Sequence, residues 1–373
     1  MHNTLFKKID WWIVVALISL FGLSLSTISS FSDIGGTLFF RQLIWIGISI
    51  TAFFVVSAID FSFLKQSKIL MSLYLIGVGL LVSLIFIGST NKGATSWIDF
   101  GFFSFQPSDL LKLILILILA KYLARRHIEI RSLKHLLITT LYFIIPFTLI
   151  FLQPDFGSAI ILFCIWFGMI LVAGISKKHL LLMFTIGLGV FMVMWTFVFK
   201  EYQKDRLRSF VDPLSDIQGA GYNAYQSVIA VGSGQLVGKG VGYGTQSRLH
   251  FLPEYETDFI FAATSEEWGF IGSLIILLLF GIILIRILII GYRMHSNFEL
   301  LFAVGLFLYF MSHIIINIGM NIGVMPVTGV TLPFMSYGGS HLLIECIALG
   351  MLMSFRKQSR FVFKDNSPDV FLQ

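Results

Sequence analysis

Charge is what this chain has least of. Only 12% of its 373 residues are Asp, Glu, Lys or Arg, against roughly 25% in ordinary soluble domains, while 57% are hydrophobic. A soluble chain so composed could not cover its surface, so lipid is the solvent for most side chains. Cysteine is nearly absent as well. Cys164 and Cys346 both lie in apolar runs, and two separated thiols make neither a disulfide framework nor a zinc site. A cleavage signal is missing too. Lys7 and Lys8 precede an apolar run from Trp11 to about Ser30, longer than the roughly 7–15 residues of a signal h-region and followed by no A-x-A-like site. It reads as a retained first helix.

Long apolar runs are what the chain does have. A membrane span needs roughly 20 apolar residues, and the candidates are about 12–30, 41–59, 69–88, 110–124, 134–152, 157–175, 179–199, 258–290, 299–321 and 335–354, the fourth of them short. The expected fold is an all-α integral membrane protein of about ten transmembrane helices, one polytopic domain over residues 1–373. The net charge of +6 points to orientation rather than to nucleic acid, because the cations sit in short loops. With the N-terminus inside, 17 of the 26 Lys and Arg residues face the cytoplasm and 9 face out. The positive-inside rule then places both termini in the cytoplasm. Two outer segments, 89–109 and 200–257, are too long to be mere connectors. The second, a large extracytoplasmic loop between helices 7 and 8, mixes glycine with aromatic and apolar residues and reads as a folded cap rather than a disordered tail. No internal repeat is visible.

Polar residues gather in these outer segments. The acidic loop from Arg248 to Asp258 runs straight into an apolar helix, and a carboxylate at a membrane boundary persists mainly where chemistry or transport uses it. Pro107 and Ser108 look like a helix start, with Ser108 as its N-cap. Lys112 lies one turn further in, where a lone ammonium is expensive and Asp109 at i, i+3 spacing can pair with it. Gln153-Pro-Asp155-Phe-Gly is a tight turn of ordinary turn residues. Arg206 and Arg208 are either a solvated surface or a fork for phosphate. From Pro326 to Ser340, two prolines and three glycines break helicity, which a membrane tolerates only where the backbone is buried in protein or lines a polar cavity. Glu266, Glu267 and Glu345 read as partners for loop backbone. His313, Asn317 and Asn321, four apart, read as hydrogen-bonders to neighbouring helices.

Taken in order, Trp97-Ile-Asp, Phe105-Gln-Pro-Ser, Gln153-Pro-Asp-Phe-Gly, Pro253-Glu, Thr257-Asp-Phe-Ile-Phe, Asn317-Ile-Gly-Met-Asn-Ile-Gly and Ser336-Tyr-Gly-Gly-Ser resemble the SEDS family (shape, elongation, division and sporulation proteins) of integral-membrane peptidoglycan polymerases, its elongation branch more than its division branch. The resemblance implies glycosyl transfer from lipid II with loss of undecaprenyl pyrophosphate. It makes Asp258 the essential carboxylate, with Lys112 and Asp109 beside it as catalytic candidates. Arg41, Trp97, Gln106, Ser108, Asp155, Arg206, Arg208, Gln226, Glu254, Thr257 and Ser336 are its substrate-binding candidates. The chain departs from the family pattern at Ser96, Asp109, Glu256 and His341. A divalent cation, magnesium or manganese, is expected on the pyrophosphate, and no organic cofactor. The expected partners are a class B penicillin-binding protein (a transpeptidase) and other membrane proteins of the elongation complex. The competing class is a lipid flippase, which would place its ionisable groups near the midplane and carry inverted repeats.

The orientation is testable directly. With Cys164 and Cys346 removed, a cysteine replacing Ser89 is expected to react with an impermeant maleimide in intact cells, and one replacing Ser132 is not. The opposite pattern would put the proposed chemistry in the wrong compartment.

Overall fold

The computed structural model describes the chain from Ile9 to Asp365, except for residues 32–35, 88, 92–93, 100, 102–103, 127–132, 199–203, 205–209, 211–220 and 250. It is a helical bundle: α1 (Trp11–Phe31), α2 (Thr37–Ala58), α3 (Ser67–Ile87), α4 (Pro107–Arg126), α5 (Leu133–Leu152), α6 (Phe156–Val172), α7 (Lys177–Val193), α8 (Tyr222–Ser233), the short α9 (Thr245–Arg248), α10 (Ile260–Tyr292), α11 (Asn297–Asn321) and α12 (Gly339–Asp365). Among the described residues, seven helices are long and apolar enough to cross a membrane by themselves. Helices α4, α6 and α12 fill the remaining expected stretches: α6 is shorter at 17 residues, and the other two bury ionisable side chains.

Helices α4 and α11 form the middle of the bundle. From Leu111 to Ala120 every residue of α4 is buried and all but Lys112 are apolar, the pattern of a central helix. Small residues let backbones close on one another, the usual device where lipid removes the hydrophobic drive between helices. A Cβ on Gly305 of α11 would lie 2.5 Å from Ile116 of α4 and 3.0 Å from Met169 of α6. A Cβ on Gly350 of α12 would lie 2.8 Å from the Phe53 carbonyl of α2. At the other extreme, no residue of α7 is buried, so its apolar side chains, such as Leu181 and Phe184, face lipid.

The structure departs from the sequence expectations in two places. The segment before α4 is not loop alone. It holds a three-stranded antiparallel sheet of β1 (Ser89–Asn91), β2 (Ala94–Asp99) and β3 (Ser104–Phe105). The 33-residue run of α10 is two helical pieces joined at Gly269, where φ is +67° and ψ −160°. The break is where the chain 234–242 crosses. Phe270 N donates to Gln235 O at 2.8 Å and Ile271 N to Leu236 O at 3.1 Å, and a Cβ at 269 would lie 2.7 Å from the Leu236 carbonyl group. Glycine is needed there for both dihedral and space.

Ion pairs close the opposite end of the bundle. Buried Asp10, ahead of α1, takes Arg286 of α10 through Nε and Nη2 and Arg356 of α12 at 3.0 Å. Lys65 reaches Glu299 of α11 at 2.8 Å.

Candidate active site

Asp258 sits half-buried in the tight turn that leads into α10. Glu254, in the left-handed region at φ +54°, bends the chain so that its carbonyl accepts from both Thr257 N and Phe259 N at 3.2 Å. The Thr257 hydroxyl closes the turn onto Glu254 Oε2 at 3.1 Å. Two carboxamides from α11 then hold the main chain of the acid itself. Asn317 Nδ2 donates to the Asp258 carbonyl at 3.0 Å and Asn321 Nδ2 at 3.1 Å. Asn321 Oδ1 accepts from Ala262 N at 3.0 Å, which satisfies an otherwise orphan donor in the first turn of α10. Helix α8 braces this arrangement through Ser227, whose hydroxyl donates to the Asn321 carbonyl at 2.9 Å.

The irregular segment 322–338 packs along the same turn. Ser336 Oγ accepts from Leu332 N at 2.8 Å and donates to the Thr257 carbonyl at 2.6 Å. Tyr337 N donates to the Glu256 carbonyl at 2.7 Å. Gly329, at φ +72°, lies against the acid: a Cβ there would come within 3.6 Å of Asp258 Oδ2. The segment also closes on the start of α6, where a Cβ on Gly157 would sit 2.7 Å from Val330 and 2.9 Å from the Thr328 carbonyl.

Beneath it lies a buried ionic chain. Lys112 Nζ is 2.9 Å from Asp109 Oδ1, with the two side chains 3% and 2% exposed. Asp109 Oδ2 is 3.2 Å from His341 Nδ1, and His341 Nε2 is 2.9 Å from Glu345 Oε1. Two of the four positions that depart from the family pattern, Asp109 and His341, are thus partners of each other. Glu345 Oε2 in turn accepts from Phe334 N at 3.0 Å. Among the described residues no group of three or more His, Cys, Asp or Glu side chains gathers to hold a metal ion.

The sequence candidates separate on this geometry. Asp258, Thr257, Glu254 and Ser336 share one turn and its brace. Asp109 and Lys112 form the buried pair. Helix α4 begins at Pro107, which leaves Gln106, not Ser108, at the cap position, and proline suits the first helical residue. Ser108 turns instead toward Ser158, 3.4 Å away. Asp155 caps α6 by accepting from Ser158 N at 3.0 Å, and its other oxygen takes Gln106 Nε2 at 3.1 Å. Trp97 on β2 and Gln226 on α8 are half-buried, and Arg41 near the start of α2 is exposed. Arg206 and Arg208 lie outside the described residues. Sequence reasoning read Asn317 and Asn321 as general interhelical hydrogen-bonders and missed that both clamp the Asp258 carbonyl. Their four-residue spacing was the available signal.

Fold and site together define a polytopic membrane protein with its polar machinery at one end of the bundle, around the braced turn that carries Asp258. The chain belongs to the FtsW/RodA/SpoVE family of cell cycle proteins, whose profile matches residues 4–361. The peptidoglycan glycosyltransferase MrdB of Escherichia coli K12 is 38% identical over 292 residues, 78% of this chain and 79% of that protein. A solved chain from work on coordination of polymerization and crosslinking by a peptidoglycan synthase complex superposes with a TM-score of 0.81 at 28% identity, covering 94% of this chain and 98% of that one. The rod shape determining protein RodA of Thermus thermophilus gives 0.71 at 26% identity, covering 94% and 97%.

Removing one member of a buried ion pair strands the other, which costs about 3 kcal/mol or more. Lys112→Met is therefore expected to lower the melting temperature in detergent, and Asp109→Asn added to it to recover much of that loss. Equal melting of the single and double variants would show that the pair is not coupled.

Proposed function

We propose that this chain is a peptidoglycan glycosyltransferase that polymerises lipid II into glycan strands for cell elongation and shape, releasing undecaprenyl pyrophosphate. The observation that carries the reading is Asp258: one half-buried carboxylate whose backbone is braced from α11 and from segment 322–338, in a chain of this family. In the reaction a sugar hydroxyl attacks the anomeric carbon of a second sugar. Asp258 accepts the hydroxyl proton as the new carbon–oxygen bond forms. The bond from the anomeric carbon to the pyrophosphate oxygen breaks, and its electron pair leaves with the pyrophosphate. A fixed carboxylate serves this better than a mobile one, because reacting atoms must be held within a few tenths of an ångström of the productive geometry. The relatives' names favour this reading over a flippase.

In this reading ten helices cross the bacterial inner membrane, both termini are cytoplasmic, and the Asp258 end faces outward. The Asp109–Lys112 pair acts from below as a fixed charge arrangement rather than as a direct phosphate ligand. Arg206 and Arg208, which precede Asp258 in the same loop, take the pyrophosphate, a task that suits the bidentate guanidinium. The name of the synthase-complex relative supports a class B penicillin-binding protein as partner, working with other elongation-complex proteins.

The test is polymerisation of lipid II by the purified protein, with and without such a partner. Asp258→Asn keeps shape and hydrogen bonding but removes the base, and is expected to lose roughly 100-fold or more in rate. A folded Asp258→Asn protein at wild-type rate would sink the assignment of the base, and an inactive wild-type complex would sink the activity.

A further inference from the structure

Three elements meet at one imidazole. His341, in the first turn of α12, points Nδ1 at Asp109 of α4, 3.2 Å away. Its Nε2 lies 2.9 Å from Glu345, one turn along α12, and 2.8 Å from the Thr331 hydroxyl in segment 322–338. His341 is 4% exposed, Asp109 1% and Glu345 0%, so the contacts of the ring with the two carboxylates are closed to solvent. Thr331 is held from a second side, its carbonyl 3.2 Å from His313 Nδ1, and the His313 ring stands 5.2 Å from that of His341.

Thr331 is the link to the acid. Val330 beside it gives its carbonyl to Asn317 Nδ2 at 2.7 Å, the same carboxamide that holds the Asp258 carbonyl. Gly329, one residue further back, forms the wall against the Asp258 carboxylate. An unbroken line of contacts therefore runs from Lys112 and Asp109 through His341, Thr331, Val330 and Asn317 to Asp258. We infer that His341 is a positioning residue for glycan polymerisation, holding the Asp109–Lys112 pair in register with the 329–331 wall of the Asp258 site. The inference rests on the reading of Asp258 as the base.

The geometry fixes what the residue does. His341 is buried and acts through its neighbours, so its loss is expected to fall on the chemical step rather than on substrate affinity. Two buried carboxylates, Asp109 and Glu345, share the one ring, and without it they lose a common partner and are free to shift. Displacement of about 1 Å at reacting groups costs up to about 100-fold in rate.

The experiment is steady-state polymerisation of lipid II by the full chain in complex with its partner. The variants are His341→Ala, His341→Gln, Thr331→Val and the His341→Ala/Thr331→Val double. His341→Ala is expected to lower kcat by about 10–100-fold with KM within about twofold. His341→Gln, whose amide can still donate to one neighbour and accept from another, is expected to recover most of the loss. Thr331→Val, nearly isosteric, is expected to lower kcat in the same direction, and the double variant to cost no more than His341→Ala alone, since both break one connection. Wild-type kcat in the Ala and Val variants, independent costs that multiply in the double, or a loss confined to KM would overturn the inference. If His341→Ala does not fold, Thr331→Val and His341→Gln decide by the same criteria. A wild-type complex that makes no glycan removes the reading of the site itself, and this inference with it.

Discussion

A main-chain N–H or C=O left unpaired away from water costs about 1–3 kcal/mol, and this constraint organises the end of the bundle that carries Asp258. Three stretches there abandon helical geometry, 234–244, 251–259 and 322–338, and none can rely on lipid for hydrogen bonds. Each is sewn down by polar side chains from neighbouring helices. Asn317 and Asn321 serve the turn before α10. Glu345 and Ser24, the latter donating to the Met335 carbonyl at 2.5 Å, serve segment 322–338, which Ser336 also ties within itself. Glu266 takes Lys239, Thr245 and Gln246 N, and Glu267 takes Ser30 and Gly242 N.

Rigidity follows from the same bonds and serves the chemistry. Asp258 lies on non-helical backbone, which would ordinarily be mobile, yet its carbonyl accepts two hydrogen bonds and the residue before it a third. The ionic chain from Lys112 to Glu345 continues the brace into the core, tying α4 to α12 where α12 also packs on α2 through Gly350. Fold stability and site geometry thus draw on the same side chains. The distant pairs, Asp10 with Arg286 and Arg356 and Lys65 with Glu299, hold the other end without touching the site.

The long helices were legible because a run of some 20 apolar residues has few other uses, and Asp258 was legible because a carboxylate beside such a run demands a reason. Glu266 and Glu267 were read as partners for loop backbone and stand as such. What escaped is set by tertiary contact. The sheet of Ser89–Asn91, Ala94–Asp99 and Ser104–Phe105 comes from strands too short to show a period. The break at Gly269 is invisible in a continuous apolar run, because it depends on Gln235 and Leu236 crossing there. The helix begins at Pro107, which puts its cap at Gln106, two residues before Ser108. The meeting of Asp109 with His341, 232 positions apart, is a fact of three-dimensional packing that local pattern does not carry.

The central claim, that side chains of α11 hold the Asp258 turn in place of water, is tested most directly by amide hydrogen exchange in Asn321→Leu. Loss of the carboxamide leaves the Ala262 N–H and one of the two bonds to the Asp258 carbonyl unmade, a cost of about 1–3 kcal/mol that corresponds to roughly 5–150-fold faster local opening. The account predicts faster exchange at 257–263 and 330–337, with the amides of α3 and α5 unchanged. Exchange at 257–263 as slow as in the wild type would contradict it.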